Sequence, residues 1–420
     1  MRLPFTLSVA AAAAILAACS SGESVPGREA AAFPGTFDDG VLTLDTHVDI
    51  PLEFATDAAD PLEMQAQVSL RSMRNGALDA AFFVVYVAQA ERTPENYRRA
   101  HEDALTKFAA IERMTEELYP DWIELAYSAA DVERIAGQRK LVAAIGVENG
   151  FSIGTDLSTL DRFHALGARY FGLVHNGHND LAHSAQPRAA FGDAPGSEAG
   201  GVTELGAAAI ERLNRLGVMV DISHSSKQTA LDAIRLSSAP VIASHSSVKA
   251  LADHPRNLDD ETLLALRDNG GVVQIVAYEG FLTVQPLEQS AALAALGERL
   301  GLEGPVDNER LMALPEEQRF AYLRGVQEIQ SRWPPASVED LVDHIDYAVR
   351  LIGVDHVGVS SDFGGGGGVL GWTGAAETPN VTAELERRGY SAADIDKIWS
   401  GNLLRVWREA ERVAAEQASR

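Results

Sequence analysis

Two neighbouring segments of the sequence end in the same four residues, Ser-His-Ser-Ser. The first, GVMVDISHSS, covers residues 217–226, and the second ends PVIASHSS at residues 240–247. Each begins as an apolar run rich in β-branched residues, which is typical of a buried strand. Both segments therefore place a histidine, His224 and His245, where a buried strand would end. An imidazole at such a position is a candidate metal ligand or general base.

Further residues with metal-binding or acid–base side chains stand at the ends of other apolar runs. They are His47 and Asp49 in DTHVDIP, Glu148 in GVEN, His175 in LVHN and Asp362 in SSDF. A single histidine at a strand end more often has a structural role than a catalytic one. Packing does not require the whole set, however, so the set indicates a metal or catalytic site. The remaining loop histidines of interest, His178, His183 and His254, carry no such signal.

The residue types in this set select the kind of metal. Imidazole nitrogen and carboxylate oxygen without a thiolate suit Zn²⁺, and also Mn²⁺ or Fe²⁺, better than Ca²⁺ or an iron–sulfur cluster. An extended segment would place His47 and Asp49 on the same side of the chain. Three histidines and two carboxylates suit two metals about 3.5–4 Å apart, with Glu148 as the bridge. Such a pair lowers the pKa of a shared water to about 7.

These side chains can meet only if the ends of their apolar runs lie at one face of the fold. Eight runs alternate with helix-like stretches, and they cover residues 41–47, 81–88, 141–148, 168–175, 217–224, 240–245, 270–278 and 356–362. Continuous apolar strands between amphipathic helices indicate a parallel sheet covered on its faces. Eight such units predict an α/β fold, a (β/α)₈ TIM barrel of the metal-dependent hydrolase type. A doubly wound sheet is the alternative, although no G-x-G-x-x-G follows the first run.

The connections between the runs give three further predictions. Residues 203–217 predict a helix that ends at Gly217, and its apolar face is expected to contain Leu205, Ala208, Ala209, Leu213 and Leu216. The interval of about residues 279–338 is too long for a simple crossover, so we expect a helical insertion after the seventh strand. The C-terminal segment predicts a closing helix or pair of helices.

The composition limits the kinds of partner. The chain has 420 residues, a hydrophobic fraction of 46% and a formal net charge of −25, with no Lys/Arg-rich run to offset it. Its length suits one large α/β domain or two ordinary ones. The acidic charge argues against nucleic acid and against an anionic membrane surface as partners.

Residues 1–18 predict a lipoprotein signal peptide. Arg2 precedes a short apolar stretch that ends in Leu-Ala-Ala-Cys, which resembles the bacterial lipobox. Cys19 is the only cysteine, so we expect lipidation there and no internal disulfide. An ordinary secretory signal with an incidental cysteine is the alternative. Residues 19–39 predict a flexible tether, and residues 40–420 form the predicted catalytic domain.

The predicted location follows from this anchor. The N-terminal lipid would be the only membrane contact, on the periplasmic side of a bacterial membrane. Ser20, and not Asp, follows the cysteine, and this favours the outer membrane by resemblance.

Several segments together resemble the membrane (renal-type) dipeptidases, peptidase family M19. They are DTHVDIP, GVEN, LVHNGHNDLA, GVTELG with LNRLGVMVDISHSS, SHSSVKALADHPRN, GVDHVGVSSDFGG and GNLLRVW. The resemblance runs from about residue 41 to residue 410, with the motifs in the family's order. It implies a (β/α)₈ barrel, a two-zinc centre, a dipeptide as the substrate and a homodimer. Bacterial members often prefer a D residue at the C-terminal position, and some members also open β-lactams.

The resemblance also assigns roles to single residues. It implies that His47 and Asp49 bind one metal and that His224 and His245 bind the other, while Glu148 bridges the two.

It further implies that His175 stabilises the oxyanion, that Arg256 in HPRN binds the substrate carboxylate, and that Asp362 contacts the substrate amine and shuttles a proton. General chemistry agrees with the roles of His175 and Arg256. An oxyanion is stabilised by a hydrogen-bond donor, and a free carboxylate favours a planar guanidinium as its partner. Without the resemblance, a surface salt bridge would be as good an interpretation of Arg256 as substrate binding.

The sequence departs from the family pattern at one functional position. After Asp362 and Phe363 the family usually has Asp-Gly, whereas here Gly364 begins a run of five glycines. We expect a flexible stretch at the rim of the site, which leaves the side-chain preference for the substrate open. The disulfide cysteines of the mammalian members are also absent.

Two other functions stay open at this point. Another binuclear barrel hydrolase, such as a lactonase, deaminase or β-lactam hydrolase, usually begins with His-x-His, and many such enzymes bridge the metals with a modified lysine. Here the first pair is His47 and Asp49, and the bridge position holds Glu148. A non-catalytic binding lipoprotein would be expected to have lost metal ligands, yet all the candidates are present.

Overall fold

Parallel strands form a barrel in which neighbours in space are neighbours along the chain. The computed structural model describes residues 40–194, 196–284, 286–302, 311 and 314–420. Its strands are β1 (Leu44–Asp49), β2 (Ala80–Tyr86), β3 (Ile123–Leu125), β4 (Leu141–Glu148), β5 (Ala168–Gly172), β6 (Met219–Asp221), β7 (Ile242–Ser246), β8 (Val272–Val276) and β9 (Val357–Ser360). Eight of them pair in the order β1-β2-β4-β5-β6-β7-β8-β9, and β3 pairs with β4 outside this order.

The first and last strands approach each other where they end. Val48 and Phe363 form a parallel bridge, and the Asp49 N–H donates to the Phe363 carbonyl oxygen at 2.8 Å. The predicted (β/α)₈ barrel is thereby confirmed, and each of the eight apolar runs contributes one barrel strand. Strand β3 was not predicted, because its three residues are too few to give a periodic pattern.

Helices follow the strands and cover the outside of the barrel. They are α1 (Leu70–Asn75), α2 (Pro94–Glu112), α3 (Ala129–Gly137), α4 (Ser158–Ala165), α5 (Glu204–Leu216), α6 (Lys227–Leu236), α7 (Asp260–Asn269), α8 (Glu279–Leu282), α9 (Leu287–Arg299), α10 (Glu316–Gln330), α11 (Val338–Ile352), α12 (Pro379–Arg387), α13 (Ala392–Asp396) and α14 (Asn402–Ala418). A π-helical segment, Arg113–Leu118, extends α2, and another, Lys397–Gly401, joins α13 to α14.

Helix α5 has the ends that the sequence predicts. The Thr203 side chain accepts from the Gly206 N–H at its start, and Gly217 ends it with a φ of 72°. The buried face differs in part from the prediction. Ala209 and Leu213 are buried as expected, but Ile210 completes that face and Leu205 is only partly buried.

The long connection after β8 is helical in the part that the structure describes. It contains α8, α9 and α10 before α11 begins at Val338. Phe281 of α8 and Leu287 and Ser290 of α9 line the large cavity described below. This connection therefore supplies one wall of the candidate site.

The barrel interior is filled at the N-terminal ends of the strands by the C-terminal helix. Trp407 of α14 is fully buried, and its ring centroid lies 5.6 Å from that of Phe82 in β2. Leu403 and Leu404 of the same helix belong to this core cluster, together with residues that begin the strands, such as Leu44. A second, larger cluster joins the helices to the outer faces of the strands. The lower end of the barrel is therefore closed by apolar packing, and the opposite end is left for polar residues.

Among the described residues, no helix combines the length and the hydropathy needed to cross a bilayer. The predicted signal peptide, the lipidation site Cys19 and the tether at residues 19–39 lie outside the described residues.

Candidate metal centre

The predicted site residues all lie at the C-terminal ends of barrel strands. His47 and Asp49 belong to β1, Glu148 ends β4, and His245 belongs to β7. The other candidates follow the ends of their strands: His175 after β5, His224 after β6, Arg256 after β7 and Asp362 after β9. A cavity of about 1080 Å³ opens here, and all of these residues except the more deeply buried His47 line it. The structure thus brings together every site residue that it describes.

Glu148 lies at the centre of this cluster. Its Oε2 is 3.6 Å from His47 Nε2. Its Oε1 is 2.9 Å from His224 Nε2 and 3.4 Å from His245 Nε2. One carboxylate oxygen therefore faces the β1 residues, and the other faces the two Ser-His-Ser-Ser histidines. This is the arrangement of a bridging ligand.

Each of the three central histidines has its Nδ1 atom held by a neighbour. His47 Nδ1 is 3.0 Å from the Tyr170 hydroxyl, which itself donates to the Thr46 carbonyl oxygen. The Tyr170 hydroxyl therefore accepts from His47 Nδ1–H, since its own proton is already donated. The Nε2 atom of His47 is then directed at the carboxylates of Asp49 and Glu148, at 3.5 and 3.6 Å.

The same argument applies to the other two histidines. His245 Nδ1 is 2.8 Å from the Ser244 hydroxyl, and that hydroxyl donates to Asp221 at 2.6 Å. His224 Nδ1 is 3.2 Å from the side-chain oxygen of Asn176, which can only accept. Both Nε2 atoms then carry lone pairs, and they are only 3.0 Å apart. Two such lone pairs repel each other unless a cation accepts both of them.

Buried polar atoms without hydrogen bonds indicate that the cluster fits metal ions. His47 Nε2 and Asp49 Oδ1 are buried, and neither makes a hydrogen bond within the described part of the chain. Three overlapping sets have ligand atoms within 4.8 Å of one another: His47, Asp49 and Glu148; His47, His245 and Asp362; and Glu148, His175 and His224. Buried polar atoms without partners are costly, so a bound cation would stabilise this arrangement. Nitrogen and oxygen donors of this kind suit zinc.

The protonation states of His224, His245 and Glu148 agree with metal binding. His47 differs, because burial by itself lowers its pKa but Glu148 and Asp49 outweigh burial and raise that pKa well above the usual value. Burial lowers the pKa of both His224 and His245 well below the usual value, which keeps these imidazoles neutral. Burial by itself raises the pKa of Glu148, but the nearby histidines outweigh it and hold that pKa well below its usual range. Glu148 is therefore ionised. Neutral imidazole and ionised carboxylate are the forms that bind metals.

Asp362 has the opposite protonation preference. Burial raises its pKa well above the usual value, and the carboxylates of Asp49 and Glu148 add to the effect. Its Oδ1 lies 3.9 Å from His47 Nε2, at the edge of the cluster. A carboxyl group in this position can hold a proton and release it to a reacting atom.

Asp362 and His224 adopt left-handed backbone conformations, with φ of 58° and 64°. Such conformations are uncommon outside glycine and often occur at functional sites. Here they turn two side chains inward at the points where β9 and β6 have ended.

The glycine run after Phe363 forms a defined turn at the rim. Gly364, Gly366 and Gly368 have φ values of 83°, 118° and 110°. A Cβ at Gly365 would lie 2.4 Å from both Asp49 Oδ2 and Asp362 Oδ1, and a Cβ at Gly367 would lie 1.9 Å from the Ser361 carbonyl oxygen. The N–H groups of Gly365 and Gly367 both donate to the Asp362 carbonyl oxygen, at 3.1 and 2.8 Å. The expectation of a flexible stretch is therefore corrected: every glycine is needed, either for a positive φ or for a close approach.

Arg256 follows β7 and His175 follows β5, and both line the cavity with Glu148. Arg256 is buried, its Nη2 donates to the His245 carbonyl oxygen at 3.2 Å, and its Nε has no hydrogen-bond partner among the described residues. Burial lowers the pKa of Arg256 to about 10, so it remains charged at neutral pH. His175 is partly exposed, with its Nε2 3.9 Å from Glu148 Oε1. Burial lowers the pKa of His175.

Sequence reasoning missed the residues that orient the ligands. Asp45 is fully buried and accepts hydrogen bonds from the N–H groups of His47 and Ser361. Burial raises the pKa of Asp45 to about 6. Tyr170, Ser244 and Asn176 hold the histidines, as described above. Ser244 is next to His245, Asn176 is next to His175 and Asp45 is two residues before His47, so these three could have been suspected, but Tyr170 has no such signal.

Comparison with known proteins agrees with this geometry. The sequence profile for "Membrane dipeptidase (Peptidase family M19)" matches residues 39–420. Dipeptidase aclJ of Aspergillus oryzae is 31% identical over 362 residues, which cover 85% of this chain and 73% of that protein.

Solved structures of a probable dipeptidase and of a metallopeptidase resemble this chain. The crystal structure of the probable dipeptidase PvdM from Pseudomonas aeruginosa has 36% sequence identity and a TM-score of 0.77, covering 89% of this chain and 96% of the other. A metallopeptidase from Rhodobacter sphaeroides, liganded with a phosphinate mimic of the dipeptide L-Ala-D-Ala, shares the fold. Its TM-score is 0.67 at 23% identity, and the match covers 89% of this chain and 100% of the other.

Proposed function

The chain belongs to the membrane dipeptidase family, peptidase family M19, and we propose that it hydrolyses dipeptides with two zinc ions at the mouth of the barrel. It is thus a dipeptidase of a metallopeptidase family. The proposed ligands are His47 and Asp49 for one ion, His224 and His245 for the other, and Glu148 between them. Manganese or iron is the alternative for the same donor set.

One observation supports two metal ions over a single ion. The oxygens of Glu148 face two different groups of ligands, while His47 Nε2 and Asp49 Oδ1 are left buried without hydrogen bonds. A single ion would use only one of these groups. When bound, the two ions would supply an activated water and polarise the substrate carbonyl.

The remaining residues bind and orient the substrate. Arg256 lines the cavity, its Nε has no hydrogen-bond partner among the described residues, and its guanidinium would bind the C-terminal carboxylate of a dipeptide. His175 would donate a hydrogen bond to the carbonyl oxygen as negative charge develops on it. Asp362 would contact the free amine and transfer its proton to the leaving nitrogen, which its raised pKa favours.

The expected length of the substrate follows from the binding of both of its charged termini. Arg256 follows β7 and Asp362 follows β9, and both line the cavity, so a peptide of two residues would engage both. A longer peptide would place a peptide bond, and not a charged group, at one of these positions. We therefore expect tripeptides to be hydrolysed poorly.

The chirality of the C-terminal residue is a further part of the proposal. The Rhodobacter sphaeroides metallopeptidase binds a mimic of L-Ala-D-Ala and shares the fold. This chain would accept a D residue at the same position, and L-Ala-D-Ala is therefore a suitable test substrate.

The location of the enzyme is also part of the proposal. Cleavage before Cys19 and lipidation of its thiol would tether the barrel to the periplasmic face of a bacterial membrane. Detergent-phase partition of the full-length protein, and its loss on replacing Cys19 with Ser, tests this independently of catalysis.

A substrate panel tests the proposed function. The purified protein is assayed with L-Ala-L-Ala, L-Ala-D-Ala, L-Ala-L-Ala-L-Ala, a lactone and a β-lactam. We expect turnover of at least one dipeptide and little turnover of the tripeptide. Rapid lactone hydrolysis without any dipeptide hydrolysis would overturn the proposal in favour of another barrel hydrolase.

A further inference from the structure

A lysine in the same cavity has no role in the function proposed above. Lys107 lies on α2, is only 5% exposed, and lines the cavity together with Asp49, Glu148 and His175. Within the described residues it makes no hydrogen bond or ion pair, and its one close polar contact is with the ring of Tyr86, whose centroid is 5.4 Å from Nζ. A buried ammonium without an anionic partner is unusual, because desolvation of a charge is costly.

The acidic groups around Lys107 favour its charged form. Burial lowers the pKa of Lys107, but Asp49, Glu148, Asp103 and Glu53 all act in the opposite direction. Its ammonium group therefore remains available to an anion that enters the cavity. No carboxylate of the described chain lies close enough to occupy it.

The position of Lys107 relative to Arg256 indicates which part of a substrate it would meet. Lys107 contacts Tyr86, the last residue of β2, and Arg256 follows β7. These strands are the second and the sixth in the eight-strand order, so they face each other across the barrel. A dipeptide with its C-terminal carboxylate at Arg256 would extend over Glu148 toward β2, with its N-terminal residue on the Lys107 side.

We infer that Lys107 forms a subsite for an anionic side chain, so that the enzyme prefers dipeptides with Asp or Glu as the N-terminal residue. This inference rests on the proposed dipeptidase function. Arg188, the third cation of the cavity lining, is partly exposed and belongs to the segment after β5. Lys107 is thus the buried cation on the wall opposite Arg256.

The test compares substrates that differ in charge but not in shape. Rates are measured for L-Glu-L-Ala, L-Gln-L-Ala and L-Lys-L-Ala with the wild-type protein and with Lys107→Met. Lys227→Met is the control, because Lys227 is half-exposed and pairs with Asp259 on the outer surface. The readout is the ratio of kcat/KM for L-Glu-L-Ala to that for L-Gln-L-Ala within one preparation, so a general loss of activity cancels.

We expect a ratio of about tenfold or more in the wild-type protein and in Lys227→Met, with L-Lys-L-Ala the poorest substrate. In Lys107→Met the ratio should fall to about one. A wild-type ratio near one would overturn the inference whether or not the variant folds, and an unchanged ratio in Lys107→Met would overturn it as well. Failure to hydrolyse any dipeptide, neutral or charged, would instead contradict the proposed function.

Discussion

Glu148 is the residue on which the arrangement of the site depends. It is 4% exposed, yet it is ionised because imidazoles surround it on both sides. Its two oxygens face different ligands, His47 for one and His224 and His245 for the other. The hydrogen bonds to each Nδ1 fix these rings so that all three Nε2 atoms converge on the carboxylate. The proposed ligands are therefore oriented by residues outside the proposed ligand set.

Asp362 provides the first prediction at the level of single residues. Asp362→Asn should lower kcat for a dipeptide by about 10²–10⁴-fold, because an amide cannot deliver the proton. Zinc content should stay the same, since the proposed ligand set is intact. Steady-state kinetics and metal analysis on the same sample measure both quantities.

A matched control separates this effect from a change in cavity charge. Asp253 also lines the cavity, but its side chain is 85% exposed. Asp253→Asn should leave kcat within about twofold, as is usual for an exposed surface position. Near-normal turnover in Asp362→Asn would contradict the role assigned to Asp362.

At the level of elements, the turn that follows β9 shapes the rim of the site. Its glycines bring backbone against the carboxylates of Asp49 and Asp362 more closely than any other residue would allow. The turn is held by hydrogen bonds from Gly364 N–H to Gln67 and from Gly368 N–H to the Ala277 carbonyl oxygen, at 3.0 and 2.7 Å. The glycine run is thus a fitted part of the site.

Gly365→Ala tests this element. The added methyl group would lie 2.4 Å from one oxygen of Asp49 and one of Asp362, so at least one of them must move. We expect kcat/KM to fall at least about 100-fold, because small displacements of reacting groups have effects of this size.

The control is another glycine-to-alanine change with room for the methyl group. Gly137, the last residue of α3, has no atom within 4 Å of its would-be Cβ. Gly137→Ala should keep full activity. Equal activity in Gly365→Ala would show that the rim is looser than the structure indicates.

The positions of the ligands could be predicted from the sequence, but the turn could not. His224, His245 and Glu148 each end an apolar run, and parallel strands must open on the same face, so their convergence follows from pattern alone. Five consecutive glycines carry no such pattern. Sequence suggests flexibility there, whereas the close approaches that require glycine depend on the neighbours Asp49 and Ser361, which only the folded chain supplies.

At the level of the whole molecule, the two ends of the barrel have different roles: the lower end mainly stabilises the fold, and the upper end carries the candidate site. The upper end holds buried charges and strained backbone, which oppose folding unless ligands compensate them. The lower end holds Trp407, Phe82 and Leu44 in a hydrophobic cluster. This division is common to barrels of this type.

Trp407→Ala tests this division. Removing a fully buried indole should lower the free energy of unfolding by about 3–5 kcal/mol, as for other large-to-small core changes. The kcat of the folded fraction should remain close to the wild-type value, because Trp407 packs among residues near the N-terminal ends of the strands and the proposed metal ligands lie at the C-terminal ends. Denaturant unfolding and kinetics at low temperature measure the two effects separately, and a large fall in kcat at unchanged stability would contradict the division.

The limits of sequence reasoning at this level are also physical. The barrel and the eight strand positions were predictable, because each strand overlaps a largely apolar run of six to nine residues in the sequence. The short strand β3 and the burial of Ile210 in α5 were not predictable, since both depend on contacts with other elements of the fold. The same holds for Lys107, whose burial in the cavity is not visible in the amphipathic sequence of α2.

The most direct test of the account is the zinc content of the active enzyme. The purified protein is stripped with a chelator, reconstituted with zinc, freed of loosely bound metal, and analysed by mass spectrometry alongside dipeptide hydrolysis. The account predicts two zinc ions per chain, loss of activity with their removal, and recovery of both together. Full dipeptide hydrolysis by protein that contains less than one metal ion per chain would contradict it.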